Sequence, residues 1–167
     1  MKKNGLISKS LFNQWDDISL TTRIKDKDSR QRFEAGCPNK KEIDAYAAAL
    51  PKDCSKQTAV VLGMTPELRL LAAKLFQKVL TIDYNSKAIE TYTGWLPSQY
   101  CQKETIINGD WLDLRKILPC PVYAIMGDGI FGNLQNVEQH RILLSNIALS
   151  LLPGKTACRG SRPDFPA

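Results

Sequence analysis

Four short segments of this chain place glycine and carboxylate side chains where chemistry is done. The first is Leu62-Gly63-Met64-Thr65-Pro66-Glu67, where one glycine ends an apolar run and a proline opens a helical pattern. A helix starting there leaves backbone amides free to receive a carboxylate or a phosphate, although a plain strand-to-helix turn would read the same way. Gly63 is not followed by the GxxG that brings a pyrophosphate against the backbone. Glu67 would repel phosphates, so a smaller or cationic group fits better. The second segment is Asp83-Tyr84, twenty positions after Gly63. An acidic side chain there accepts two hydrogen bonds from ribose hydroxyls. A helix N-cap is the alternative, and both hold if Asn85 or Ser86 caps instead. The third is Asp110-Trp111, where the carboxylate can accept from an adenine amino group and the indole can stack on the ring or wall it. Capping of a short helix by Asp110 and Asp113, and core packing of Trp111, remain open. The fourth is Gly127-Asp128-Gly129 with Gly132, a loop of the kind in which backbone approaches a ligand closely. Asp128 between two glycines faces a cleft, or else caps a glycine-rich turn. Asn133 is the expected cap of the next helix.

The elements that would position these residues alternate along the chain. Apolar runs of strand length (58–63, 78–83, 104–109, 121–129 and, weakly, 155–160) are separated by helical patterns. The patterns are Pro66–Phe76 (with Leu68, Leu71, Ala72 and Leu75 on one stripe), Ser86–Leu96, Trp111–Leu118 and Asn136–Leu152. An earlier helix runs from Asn39, with Glu42 three residues on and Ile43, Tyr46, Ala47 and Leu50 on one face, to a stop at Pro51. Strands alternating with helices predict an α/β fold, a doubly wound Rossmann-like and mostly parallel sheet of about five strands with helices on both faces. The expected organisation is a polar N-terminal extension (1–38), the Rossmann-like domain (39–160) and a short tail (161–167).

The bulk numbers narrow the setting. A chain of 167 residues that is 43% hydrophobic and 24% charged suits one globular domain. The net charge of +6 owes much to lysines and arginines near the N-terminus. Aspartates are interleaved among them, which reads as a solvated mixed-charge segment rather than a binding patch. No apolar run approaches the ~20 residues of a membrane span. The opening MKKNGLISKSLF has no long apolar stretch, so no signal peptide is expected. Five cysteines without CxxC spacing predict reduced thiols, no zinc site and a cytoplasmic protein.

Taken in order, "LGMTPEL", "VLTIDYNSKAIE", "INGDWLDL" and "MGDGIFGNL" resemble the class I S-adenosylmethionine-dependent methyltransferases. The likeness is strongest to a bacterial subgroup with an LGxTPEL first loop, and it covers about residues 40–160. It implies that Gly63, Met64 and Thr65 hold the methionine part of S-adenosylmethionine, and that Asp83, with Tyr84 beside it, binds the ribose hydroxyls. It further implies that Asp110 and Trp111 frame the adenine, and that Asp128 and Gly129 lie beside the sulfonium methyl. The chain has Gly63 alone where the family more often has GxGxG. Such proteins usually continue past the fifth strand into an antiparallel hairpin. This chain is therefore expected to be a shortened form whose fifth strand is an edge, which favours a homodimer through that edge.

The acceptor is not readable. No general base stands out, and His140, the one histidine, falls inside a predicted helix as a structural or surface residue. Three other readings compete: a non-catalytic binding or regulatory module on the same fold, a nicotinamide-dependent oxidoreductase, which wants an absent GxGxxG, and an RNA-binding protein using the basic N-terminus.

Overall fold

The computed structural model describes residues 37–159, with side chains described as far as residue 153. The expectations for residues 1–36 and 160–167 lie outside the described residues. The elements are α1 (Lys40–Ala49), β1 (Thr58–Leu62), α2 (Pro66–Leu75), β2 (Lys78–Asp83), α3 (Ser86–Tyr92), α4 (Ser98–Cys101), β3 (Glu104–Asn108), α5 (Leu114–Ile117), β4 (Val122–Gly127), α6 (Val137–Ser150) and β5 (Leu151–Arg159). Short 3-10 turns at Trp111–Asp113 and Ile130–Asn133 precede α5 and α6.

The five strands form one parallel sheet in the order β3-β2-β1-β4-β5. β1 is central because its apolar run has no polar face to offer water. Ala59 and Val61 point to one face and meet Tyr46, Leu50, Leu68, Leu71 and Ala72 from α1 and α2. Val60 and Leu62 point to the other and meet Trp111, Leu114 and Leu143. Each fully buried leucine contributes about 1.5–3 kcal/mol, so these two layers hold the helices on both faces. The chain lays β2 and β3 to one side of β1 and then β4 and β5 to the other. The strand order therefore switches between β1 and β4, and beyond the carboxyl ends of these strands is where open α/β sheets bind ligands.

Helix starts follow the side chains available. Asn39 and Glu42 form a capping box on α1, and Asn85 caps α3 through the amides of Lys87 and Ala88. Thr65 occupies the N-cap of α2 without a side-chain cap bond. The cap of α6 is Asn136, whose side chain accepts from Gln139 N at 2.9 Å. Asn133, the expected cap, falls in the 3-10 turn and donates to the Gly129 carbonyl at 3.2 Å instead. β5 follows α6 directly and starts four residues before the expected segment.

Between α2 and β3 lies a buried ionic network. Arg69 is 0% exposed and sits between the core leucines of α2. Its Nε and Nη2 donate to the two Glu104 carboxylate oxygens, each at 2.7 Å, and Nη1 donates to the Tyr92 carbonyl at 2.8 Å. The Thr81 hydroxyl donates to the same carboxylate at 2.6 Å. A forked pair this well bonded recovers the cost of desolvating its charges. It ties α2, β2, β3 and the end of α3 together. Lys103 completes this side by donating to the Ala73 and Phe76 carbonyls at the end of α2.

Candidate functional site

Where the parallel strands end, β1 and β2 are joined by one carboxylate. Gly63 N donates to the Ile82 carbonyl at 2.8 Å, which carries the ladder one residue beyond β1. Gly63 itself has φ +89°, a left-handed conformation that lets the chain turn toward α2 without Cβ strain. Met64 N then donates to Asp83 Oδ2 at 3.1 Å, and Asn85 N donates to Asp83 Oδ1 at 2.8 Å. Asp83 thus braces the starts of both loops. Asn85 caps α3 and so releases Asp83 from that task. With the Tyr84 amide as a third donor, about one lone-pair position of the carboxylate is left for a further donor.

Asp83 is 8% exposed. Burial pushes its carboxyl up to about 6, against the hydrogen bonds from the Asn85, Met64 and Tyr84 amides that favour its charge. A buried carboxyl that titrates at about 6, at a strand end with acceptor capacity to spare, is the kind of group that marks a binding site.

Trp111 forms the floor beneath this point. It is 6% exposed, belongs to the core, and donates through Nε1 to the Ile82 carbonyl at 2.8 Å. A Cβ on Gly63 would lie 3.8 Å from Trp111 Cζ2 and 4.0 Å from Asp83 Oδ2. The structure therefore brings Gly63, Met64, Asp83 and Trp111 together, with the indole held in the core rather than free on the surface. Asp110, one residue earlier, is half-buried and caps the 3-10 turn through Leu112 N at 2.8 Å. Burial raises its carboxyl as well, with the Asp113 charge adding to the rise. Thr65 and Tyr84 stand half-exposed on the two loops.

The other side of the strand switch is the end of β4. Gly127 pairs with Leu62, and a Cβ there would fall 1.8 Å from Ile130 Cδ1 and 3.1 Å from the Leu62 carbonyl, so a larger residue requires Ile130 to move. Asp128 is half-buried and Gly129 exposed beyond it. The Tyr46 hydroxyl donates to the Gly127 carbonyl at 2.8 Å and ties α1 to this strand end across 81 residues. The sequence pattern showed Tyr46 only as a core-face residue; no local signal marks a bond to a carbonyl so far along the chain. The pairing of Phe131 with His140, whose rings stack with centroids 5.4 Å apart, was equally invisible. Among the described residues no group of three His, Cys, Asp or Glu could hold a metal ion, and no helix is long and apolar enough to cross a membrane.

No protein-family profile matches the chain, and no curated protein does. Solved structures do match. N-methyltransferase NodS from Bradyrhizobium japonicum, in complex with S-adenosyl-L-homocysteine, aligns at a TM-score of 0.63 and 16% identity over 85% of this chain and 70% of that one. An rRNA methylase from Streptococcus thermophilus aligns at 0.54 and 18% identity, covering 70% of this chain and 66% of that one. The precorrin 8w decarboxylase of Methanobacterium thermoautotrophicum aligns at 0.55 and 22% identity, covering 73% of this chain and 63% of that one. The fold is shared with known methyltransferases. This chain spans less than two thirds of the length of the last two proteins. At these identities the likeness concerns the fold, and the decarboxylase among the matches illustrates that one fold serves several chemistries.

Proposed function

We propose that this chain binds S-adenosylmethionine and transfers its methyl group to an acceptor. The observation that carries the reading is Asp83: a buried carboxylate at the end of β2, bonded to Met64 N and placed 4.0 Å from where a Gly63 Cβ would stand. A ribose hydroxyl is the donor that suits its remaining lone pair. The donor set fits the rest of the cofactor. Glu67, Asp83, Asp110 and Asp128 all follow the carboxyl ends of strands, and a cationic sulfonium and ammonium are the charges such a rim accepts. NodS, bound to S-adenosyl-L-homocysteine, supports the same assignment.

In this reading Gly63, Met64 and Thr65 receive the amino-acid end, and the missing Cβ at Gly63 keeps the approach open. Asp83 and Tyr84 flank the ribose, and Asp110 and Trp111 border the adenine. Asp128 and Gly129 stand beside the reacting methyl. When bound, the cofactor supplies a carbon already activated by its sulfonium. The work of the protein is then to orient, to exclude water and to hold the acceptor in line. The subgroup with the LGxTPEL loop is part of the proposal. So are a reduced cytoplasmic setting, which the free thiols of Cys54, Cys101 and Cys120 support, and a second copy joining at β5, which pairs on one side alone among the described residues.

Transfer of tritium from methyl-labelled S-adenosylmethionine to a panel of small aromatic molecules, proteins and RNA tests the reading. Labelled product made by wild type and lost in Asp83→Ala supports it. A folded chain that binds S-adenosylhomocysteine and labels none of the panel would leave the non-catalytic binding module in its place.

A further inference from the structure

We infer that the outer flank of α6 is a docking face for α6 of a second copy of this chain, antiparallel across a two-fold axis normal to the sheet. This deepens the reading of a second copy at β5, on which it rests, and is independent of the cofactor. Leu143 is 0% exposed and fixes the side of α6 that meets the sheet. At about 100° per residue, Asn146 stands roughly 60° to one side of Leu143. Its side chain donates to the Leu112 carbonyl at 2.6 Å, so that flank faces the 3-10 turn before α5. Leu144, Val137, Ala148 and Arg141 stand roughly 100–160° to the other side. Among the described residues β5 ends the sheet, so this second flank looks past the sheet edge. Val137 is 67% and Leu144 47% exposed, and Ala148 and Arg141 are exposed with them. Apolar side chains gathered on one flank, rather than scattered singly, mark a contact surface.

The fold selects the partner. Leu143 and Ile147 share an apolar layer with Val122 and Ile125 of β4 and Leu151 of β5, which seats α6 above the β4–β5 pair. Its axis therefore lies about half a strand spacing inside β5. A second copy added at β5 by a two-fold axis normal to the sheet runs antiparallel and keeps both α6 helices on one face. Their axes are then two strand spacings apart, about 9.6 Å, within the roughly 8–10 Å at which helices pack. The row Val137, Arg141, Leu144, Ala148 is spaced 4-3-4, which reads the same in both directions. An antiparallel copy consequently sets Val137 against Ala148 and Arg141 against Leu144. The Arg141 stem covers the leucine while its head stays in water, and repulsion between the two heads weakens the contact. α6 has 14 residues, so the strip is about 21 Å long and about 10 Å wide. That is well short of the roughly 800 Å² per partner of a stable interface, and the dimer is weak even with the β5 edge added.

Sedimentation equilibrium of the tag-free chain, from about 5 to about 500 µM, should show monomer and dimer in exchange with a midpoint on the order of 100 µM. Leu144→Glu sets a carboxylate near the axis, close to its own copy, and should weaken association about tenfold or more. Leu149→Glu changes a side chain that is 58% exposed but lies on the opposite flank of α6, and should leave association unchanged. Val137→Glu, at the first residue of α6 where a carboxylate is favoured, is the second variant where Leu144→Glu does not fold. A dimer that Leu144→Glu or Val137→Glu leaves intact would overturn the α6 contact and leave the β5 edge to hold the second copy alone. Equal weakening by Leu149→Glu would overturn it too, in favour of unspecific apolar association. A chain that stays monomeric throughout would overturn both the α6 contact and the second copy at β5.

Discussion

Lowering the pH should stabilise the ligand-free chain and at the same time loosen its hold on S-adenosylhomocysteine, both through Asp83. The folded carboxyl titrates at about 6 and an ordinary one at 3.8. Between those values the folded state binds more protons than the unfolded state, so stability rises as pH falls. From pH 7.5 to 5.0 the linkage relation gives about 1.4 kcal/mol of added stability from this one group. Ligand binding runs the other way. In the proposed site ribose donates to the ionised carboxylate, and at pH 5.0 only about one molecule in eleven carries that charge, so affinity should fall about tenfold. The assay is urea unfolding of wild type and Asp83→Asn at several pH values, with calorimetric titration of S-adenosylhomocysteine alongside. The difference between the two proteins removes the contributions of other groups, including Asp110, whose carboxyl is raised too. A flat difference in stability between pH 7.5 and 5.0, or an affinity indifferent to pH, would refute the reasoning.

Three further outcomes follow from the packing. Glu104→Gln leaves Arg69 charged and buried without its counterion, and should cost about 3–5 kcal/mol in urea unfolding, while the double change Arg69→Met with Glu104→Leu should cost much less. Gly63→Ala meets no atom closer than 3.8 Å, so its penalty in the same assay is the strain of φ +89°, about 1–2 kcal/mol. Tyr46→Phe removes the bond from its hydroxyl to the buried Gly127 carbonyl, and should lower stability by about 0.5–1.5 kcal/mol.

The parts of the fold that were legible in the sequence are those set by neighbours along the chain. β1 reads as a central strand because Ala59 to Leu62 are all apolar, and α2 reads from the spacing of Leu68, Leu71 and Ala72. The capping box Asn39–Glu42 is local too, and so is the turn at Gly63. Asp83 was legible as a strand-end carboxylate, but its bonds to Met64 N and Asn85 N, and the burial that raises its carboxyl, depend on how β1 and β2 align. Arg69 was not legible at all. The helical stripe places it beside the core, and only the approach of Glu104, 35 residues away on β3, makes burying its charge tolerable. Trp111 divides between the two readings open to it: its nitrogen and ring body serve the core, while one edge underlies Gly63. Asn133 failed as a cap because a 3-10 turn intervenes, a choice of backbone that propensity over four residues does not decide.

The central claim is most directly tested by calorimetric titration of the purified chain with S-adenosylmethionine, S-adenosylhomocysteine and NAD, with Asp83→Ala as the control. In the proposed site Asp83→Ala removes a charge-assisted hydrogen bond to ribose and the bonds that hold Met64 N and Asn85 N, and a loss of about tenfold to a hundredfold is expected. Micromolar binding of the first two ligands, none of NAD, and that loss in the folded variant are the predicted result. Wild-type protein that is folded and binds neither S-adenosyl compound, or a variant that binds them as wild type does, would contradict the account.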